Sequence, residues 1–135
     1  MQATRVLIID DEITLLNSLI AFFEDEGFDA CGAASGEEAL QLLSHRAADA
    51  VIVDMRLPGM DGNETIVRAH RLRPGTRFII HTGSSDYQLP AALGELVAPA
   101  DIFLKPLPDL AVLAAAVRRL CGTPPDVPGM AEPST

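Results

Sequence analysis

Four apolar runs in this chain end in side chains that could do chemistry together. Val6-Leu7-Ile8-Ile9 runs into Asp10 and Asp11, and Val51-Ile52-Val53 runs into Asp54. Phe78-Ile79-Ile80-His81 stops at Thr82-Gly83, and Ile102-Phe103-Leu104 stops at Lys105-Pro106. Three carboxylates brought close repel one another, and their pKa values rise unless a cation joins them. An oxygen-only cluster of that kind suits Mg²⁺, a hard ion that prefers carboxylates, carbonyls and water. The Lys105 ammonium, the Thr82 hydroxyl and the Gly83 amide add donors for an anionic group. A divalent cation, a nucleophilic carboxylate and an ammonium together suit the acceptance of a phosphoryl group. Taken singly, each residue has a plainer reading. Asp54 alone is equally a cap for the turn at Pro58-Gly59, and Asp10 and Asp11 read as helix caps. Thr82 is then an ordinary strand-end hydroxyl and Lys105 a solvated charge.

The constellation exists only if the runs are neighbouring strands. A continuous Val/Ile run bounded by turn signals is the pattern of a strand buried on both faces of a parallel sheet. Open α/β sheets carry their ligand crevice at the carboxyl ends of such strands. Between the strands the helical period takes over. Ile13, Leu16, Leu19, Ile20 and Phe23 predict the buried face of a first helix, closed near Gly27. Phe28 to Ala34 is a weaker strand near a sheet edge, with Cys31 as a small core residue. Ser35-Gly36-Glu37-Glu38 is a capping box, opening a helix that carries Ala39, Leu40, Leu42 and Leu43 to about Arg46. Asp61 and Glu64 open another, with Ile66, Val67 and Leu72 facing inward before Arg73-Pro74-Gly75 ends it. A short helix is expected from about Pro90 to Val97, with Pro in its first turn and Pro99 closing it. Leu110, Leu113, Ala114, Val117 and Leu120 predict the last helix. His45 and His70 are expected to be exposed on helices, and His81 to face away from Thr82 in a structural role. The alternation predicts an α/β fold, a doubly wound five-stranded parallel sheet over residues 1–121. Residues 122–135, rich in Pro, Gly, Ser and acid, are expected to form a disordered tail or linker.

Composition bounds the partners. The 135 residues suffice for one domain, and 48% of them are apolar, enough for a real core. The formal net charge of −9 disfavours direct nucleic-acid binding, which needs Lys and Arg on phosphates, and disfavours an anionic membrane surface. Cys31 and Cys121 show neither metal spacing nor a disulfide framework, so a reducing, cytoplasmic location is expected. The chain passes from Met1 almost directly into its first strand, so no signal peptide is expected, and no apolar run approaches a membrane span.

With these motifs in order, the sequence resembles the receiver domain of two-component response regulators, from roughly Arg5 to Leu120. The resemblance rests on Asp10-Asp11, on Asp54 followed by Pro58-Gly59-Met60-Asp61-Gly62, on Thr82-Gly83, and on Lys105-Pro106. It implies a flavodoxin-like (βα)5 fold with Asp54 as phosphoacceptor. It implies that Asp11 and Asp54 bind Mg²⁺ directly, with the backbone carbonyl of Arg56, and that Asp10 acts mostly through water. Lys105 would pair with the phosphoryl group, and Thr82 would swing its hydroxyl toward it. Arg56 and Ser84 flank the site, where the family tunes the lifetime of the acyl phosphate. The implied donor is a histidine kinase or a histidine phosphotransfer protein. The implied output is a protein target or an output domain beyond this stretch. Such a domain catalyses its own phosphorylation and hydrolysis without being a conventional enzyme. It signals by shifting a population between two states.

Two departures stand out. The family usually has Tyr or Phe three positions before the lysine; here that position is Ile102, and the aromatic is Phe103. Adjacent strand residues point to opposite faces, so Phe103 replaces that aromatic only if a bulge shifts the register. The second departure is the segment interrupted by Pro90 and Pro99. Two rival functions are a degenerate receiver acting as a phosphate-independent interaction module, and a Mg²⁺-dependent phosphohydrolase of the aspartyl-phosphate kind. The phosphohydrolase would need a second acid two positions after the nucleophile, where Arg56 stands. The degenerate site should fail to bind Mg²⁺.

Overall fold

The structure is a computed structural model that describes residues 3–122. Five strands form one parallel sheet in the order β2-β1-β3-β4-β5. They are β1 (Arg5–Ile9), β2 (Asp29–Ala33), β3 (Ala50–Val53), β4 (Arg77–Thr82) and β5 (Ile102–Leu104). The helices are α1 (Ile13–Asp25), α2 (Gly36–His45), α3 (Gly62–Leu72) and α4 (Ala111–Cys121). The doubly wound sheet expected from the sequence is therefore present. The reason is visible in β1 and β3, whose residues Val6–Ile9 and Ala50–Val53 are all buried. Strands covered on both faces read as unbroken apolar runs.

Strand alternation divides the core in two. Leu7, Ile9, Val51, Val53, Phe78 and Ile80 face α2, α3 and Leu93. Val6, Ile8, Ala50, Ile52 and Ile79 face α1 and α4. Burial of each such large side chain stabilises by roughly 1.5–3 kcal/mol. Ser35 caps α2 as expected, its Oγ accepting from Glu38 N at 3.1 Å, while Glu38 reaches back one residue past the cap, its Oε1 accepting from Ala34 N at 2.8 Å. Asp61 caps α3 by accepting from Glu64 N at 2.9 Å.

Several expectations are corrected. Ile13 is 53% exposed and Leu72 is 45% exposed, because each lies at the end of its helix, beyond the edge of the sheet it would cover. Cys31 is exposed, since β2 is an edge strand and the face it shares with Leu7 is left open there beside α2. His45 is exposed as expected, but His70 is half-buried, with Nδ1 enclosed. The helix expected from Pro90 to Val97 shrinks to one 3-10 turn, Ala91–Leu93, and a second turn spans Pro99–Asp101. The residue before a proline is driven out of the helical region. Ala98 before Pro99 is extended, at φ −81° and ψ 151°. Pro90 and Pro99 thus leave too little chain between them for a helix with its own caps. Except for Gly122, the expected tail lies outside the described residues.

Candidate functional site

In this strand order the chain leaves β1 and β3 in opposite directions across the sheet, and a crevice opens beyond their carboxyl ends. Ile9 pairs with Val53 as the last rung between them. Asp54 N donates to Ile9 O at 3.0 Å and Asp10 N to Ala33 O at 3.0 Å, so both acids sit one step past the ladder. Lys105 arrives by the same device, its amide donating to Thr82 O at 2.8 Å.

The side chains converge. Lys105 Nζ donates to Asp10 Oδ2 at 2.6 Å and to Asp54 Oδ2 at 3.1 Å. The second oxygen of each acid serves its own loop. Asp10 Oδ1 accepts from Glu12 N at 2.9 Å, and Asp54 Oδ1 from Arg56 N at 3.1 Å. Each of these oxygens closes a turn two residues on; α1 itself has Glu12 as N-cap with no side-chain cap bond, so Asp10 does not cap it. Asp10 and Asp54 are 1% and 6% exposed, whereas Asp11 is exposed at the mouth. Burial alone would lower the Lys105 pKa, but the hydrogen bonds and charges of Asp10 and Asp54 outweigh it and raise it above the ordinary lysine value. The ammonium is therefore a fixed positive charge.

Asp10, Asp11 and Asp54 each offer one oxygen within 4.8 Å of the others. These ligand types and this spacing fit a hard divalent cation, which takes oxygen donors. Thr82 is fully buried, and its Oγ1 accepts from Ser84 N at 3.2 Å. Gly83 is exposed beside it, with open space where a side chain would stand. Arg56 is exposed, yet its Nε reaches across the mouth to donate to Ser84 Oγ. All the residues picked from the sequence therefore lie at one end of the sheet.

The loop after Asp54 is shaped by two glycines. Gly59 has φ +72°, the left-handed region that a side chain resists. A Cβ on Gly62 would lie 2.6 Å from Asp54 O and 2.8 Å from Met55 Cα, so α3 starts in direct contact with the acid's own backbone.

Ile102 and Phe103 fall on opposite sides, as strand alternation requires. Ile102 packs toward the α2 and α3 face and Phe103 toward the α1 and α4 face. The register is regular, with Ile80, His81 and Thr82 opposite Ile102, Phe103 and Leu104. No bulge brings Phe103 to the Thr82 side.

Three features escaped the sequence. His81 points to the α1 and α4 side as expected, but it is 3% exposed and neither ring nitrogen has a hydrogen-bond partner among the described residues. Burial, then the Lys105 charge, lowers its pKa to about 4. Asp101, also buried, pairs with Arg119 of α4. Tyr87 OH donates to Asn63 Oδ1 at 2.7 Å across 24 residues of sequence. No periodicity marks such contacts, because they depend on loop shape.

A sequence model described as the response regulator receiver domain matches residues 6–118. Sporulation initiation phosphotransferase F of Bacillus subtilis (strain 168) is 32% identical over 119 residues, covering 88% of this chain and 94% of the relative. The aerobic respiration control protein ArcA of Escherichia coli (strain K12) is 34% identical over 106 residues. That match covers 78% of this chain but only 44% of ArcA, so the chain spans less than half of that protein. Among solved structures, a CheY-like receiver domain protein from Methanospirillum hungatei JF-1 has a TM-score of 0.71 at 28% identity, covering 88% of this chain and 94% of its own. The response regulator protein TrrA from Thermotoga maritima, in complex with Mg(2+)-BeF, has a TM-score of 0.75 at 26% identity, covering 87% and 98%. The chain belongs to the response regulator receiver family, whose members are the signalling phosphoacceptors of two-component systems.

Proposed function

We propose that Asp54 is the phosphoacceptor and that its phosphorylation switches this domain between two states that a protein partner distinguishes. The observation that carries the reading is the convergence of Lys105 on Asp10 and Asp54, with Asp11 completing an oxygen cluster. The donor is a phosphohistidine on a histidine kinase or a histidine phosphotransfer protein. Its P–N bond breaks, a P–O bond to a carboxylate oxygen of Asp54 forms, and the imidazole leaves. Hydrolysis later returns the carboxylate and releases inorganic phosphate.

Asp11, Asp54 and the Arg56 carbonyl would hold Mg²⁺, with Asp10 acting through water. When bound, the ion neutralises charge on the transferring oxygens and orients them. Lys105 supplies the second positive charge and, being held between two acids, needs only to turn from Asp54 to the phosphoryl oxygens. The Thr82 hydroxyl and the Gly83 amide offer donors on the opposite side. Arg56 and Ser84, bonded to each other over the mouth, control how water reaches the acyl phosphate. Arg56 also speaks against a phosphohydrolase, because it stands where the second acid of such an enzyme belongs. The intact acids speak against a degenerate receiver.

Among the described residues no helix is long and apolar enough to cross a membrane. A cytoplasmic setting, where the kinase core and its phosphohistidine would lie, suits this chemistry.

The test is intact mass after incubation with Mg²⁺ and a small acyl-phosphate donor. A single phosphoryl adduct is expected, dependent on Mg²⁺ and lost in Asp54→Asn. A folded protein that takes no adduct would overturn the reading.

A further inference from the structure

The loop after β4 is tied at both ends to the phosphoacceptor site. At its start, Ser84 N donates to Thr82 Oγ1 at 3.2 Å, and Arg56 Nε donates to Ser84 Oγ. Three residues on, Tyr87 N donates to Ser84 O at 3.2 Å, closing a turn. The Tyr87 ring is half-buried and lies on the same core cluster as Leu89, Leu96 and Ile102. Its hydroxyl donates to Asn63 Oδ1 at 2.7 Å. Asn63 is the second residue of α3, and Gly62 before it donates its amide to Met55 O at 3.3 Å, next to Asp54. Tyr87 thus joins the two loops that flank Asp54. Burial, then the nearby Asp61 charge, raises its pKa, so the hydroxyl stays protonated and able to donate.

We propose that Tyr87 is a positioning residue of the phosphoacceptor site: bonded to Asn63, it holds the Thr82–Tyr87 loop in the arrangement in which Lys105 lies on Asp54, and phosphorylation of Asp54 releases it. The inference rests on the reading of Asp54 as phosphoacceptor. The physical reason is that Thr82 Oγ1 cannot turn toward a phosphoryl oxygen and keep its contact with Ser84 N unless Ser84 moves as well. Ser84 carries the turn that ends in Tyr87. With Ile102 aliphatic, Tyr87 is an aromatic outside the strands that packs on the same cluster as Phe78, Ile80 and Ile102, on the Thr82 side of the sheet. A hydrogen bond made in one state only weights that state by about two- to tenfold.

The chain has one tyrosine and no tryptophan, so its intrinsic emission reports on Tyr87 alone. Tyrosine emission and intact mass are followed together as the protein is treated with Mg²⁺ and a small acyl-phosphate donor. The expected result is an emission change that grows in proportion to the phosphoryl adduct and is absent in Asp54→Asn. Tyr87→Phe, which keeps the ring packing, and Asn63→Ala should each raise the initial rate of adduct formation about two- to tenfold. Asn63→Ala should start with its emission shifted part of the way toward the phosphorylated level. A full adduct with unchanged emission overturns the inference and leaves the phosphoacceptor reading standing. So does an unchanged rate of adduct formation in both variants, with only thermal stability lowered. A wild-type protein that is folded and takes no adduct overturns both.

Discussion

The two faces of the sheet are covered by different means. On one, α1 and α4 lay complete helices over the strands, burying Leu16, Leu19, Phe23, Leu113 and Val117. On the other, α2 and α3 cover the first half, and a 3-10 turn with irregular chain covers the rest through Leu93 and Val97. The site does not register this asymmetry. Its acids, hydroxyl and lysine come from strand ends, which the two faces share. Apolar cover is needed to keep the strands in register, and either a helix or a packed loop can supply it. The faces differ in what can move. A helix repacks as a unit, whereas a loop anchored at a few hydrogen bonds can be shifted one bond at a time.

Core truncation probes that difference most strongly. Leu19 on α1 and Leu93 in the 3-10 turn are both essentially fully buried. Leu19→Ala should cost about 3–5 kcal/mol, because rigid helices leave the cavity open. Leu93→Ala should cost less, about 2–3 kcal/mol, because the irregular segment can collapse into the space. Urea unfolding of the two variants checks this, and equal losses would show the loop to be as rigid as the helix.

The helix-covered face also hides a titratable group. His81 is neutral in the fold, its pKa depressed to about 4 from 6.5. The unfolded chain takes up this proton as pH falls through 6.5, and the folded chain does so only near 4. Stability from this group is therefore complete above about pH 6.5 and is lost progressively down to about 4, where it is gone. The loss approaches 2–3 kcal/mol on the order of a shift this size. Lys105, Asp10 and Asp54 act on the same ring, so the comparison must hold them constant. Denaturant midpoints at pH 7 and 4.5 should differ by less in His81→Leu than in the wild type.

A smaller effect is expected where the two faces meet. Asp101, in the second 3-10 turn, is 2% exposed, and its partner is Arg119 of α4. Arg119→Ala leaves a buried carboxylate without its cation. Because the arginine is half in solvent, the cost should be about 1–2 kcal/mol and should fall with added salt. A variant equal to wild type at low salt would remove the pair as a link between the faces.

The sheet and the site were legible because each strand announces itself as an apolar run and each functional residue sits at the end of one. Asp54 follows Val53 in sequence as it follows the last rung in space. The irregular face was not legible in the same way. Pro90 could start a helix and Pro99 could end one, and only the spacing between them excluded it. His81 read correctly as facing away from Thr82, but alternation does not say how completely α1 and α4 enclose it. Ile13 and Leu72 obey the helical period yet lie past the edge of what the sheet can cover, since period fixes direction and not reach. The Tyr87–Asn63 bond had no local signal at all.

The smallest predicted effect concerns Ile102. It packs on the same cluster as Tyr87, and its strand position faces the Thr82 side. Ile102→Phe adds an aromatic to β5, at the sheet edge and only half-buried, where a larger ring can lean toward solvent. The change in stability should stay below about 1 kcal/mol. Its use lies in combination. If the loop carries the coupling because β5 offers no aromatic, a ring at 102 competes for the space that Tyr87 leaves or fills. The increase in phosphorylation rate caused by Tyr87→Phe should then shrink in the Ile102→Phe background. The two changes would be non-additive by about 0.5–1 kcal/mol, as expected of residues in one cluster. Additive rates would instead mean that Ile102 and Tyr87 act on separate parts of this face, and that the loop responds to Thr82 without involving β5.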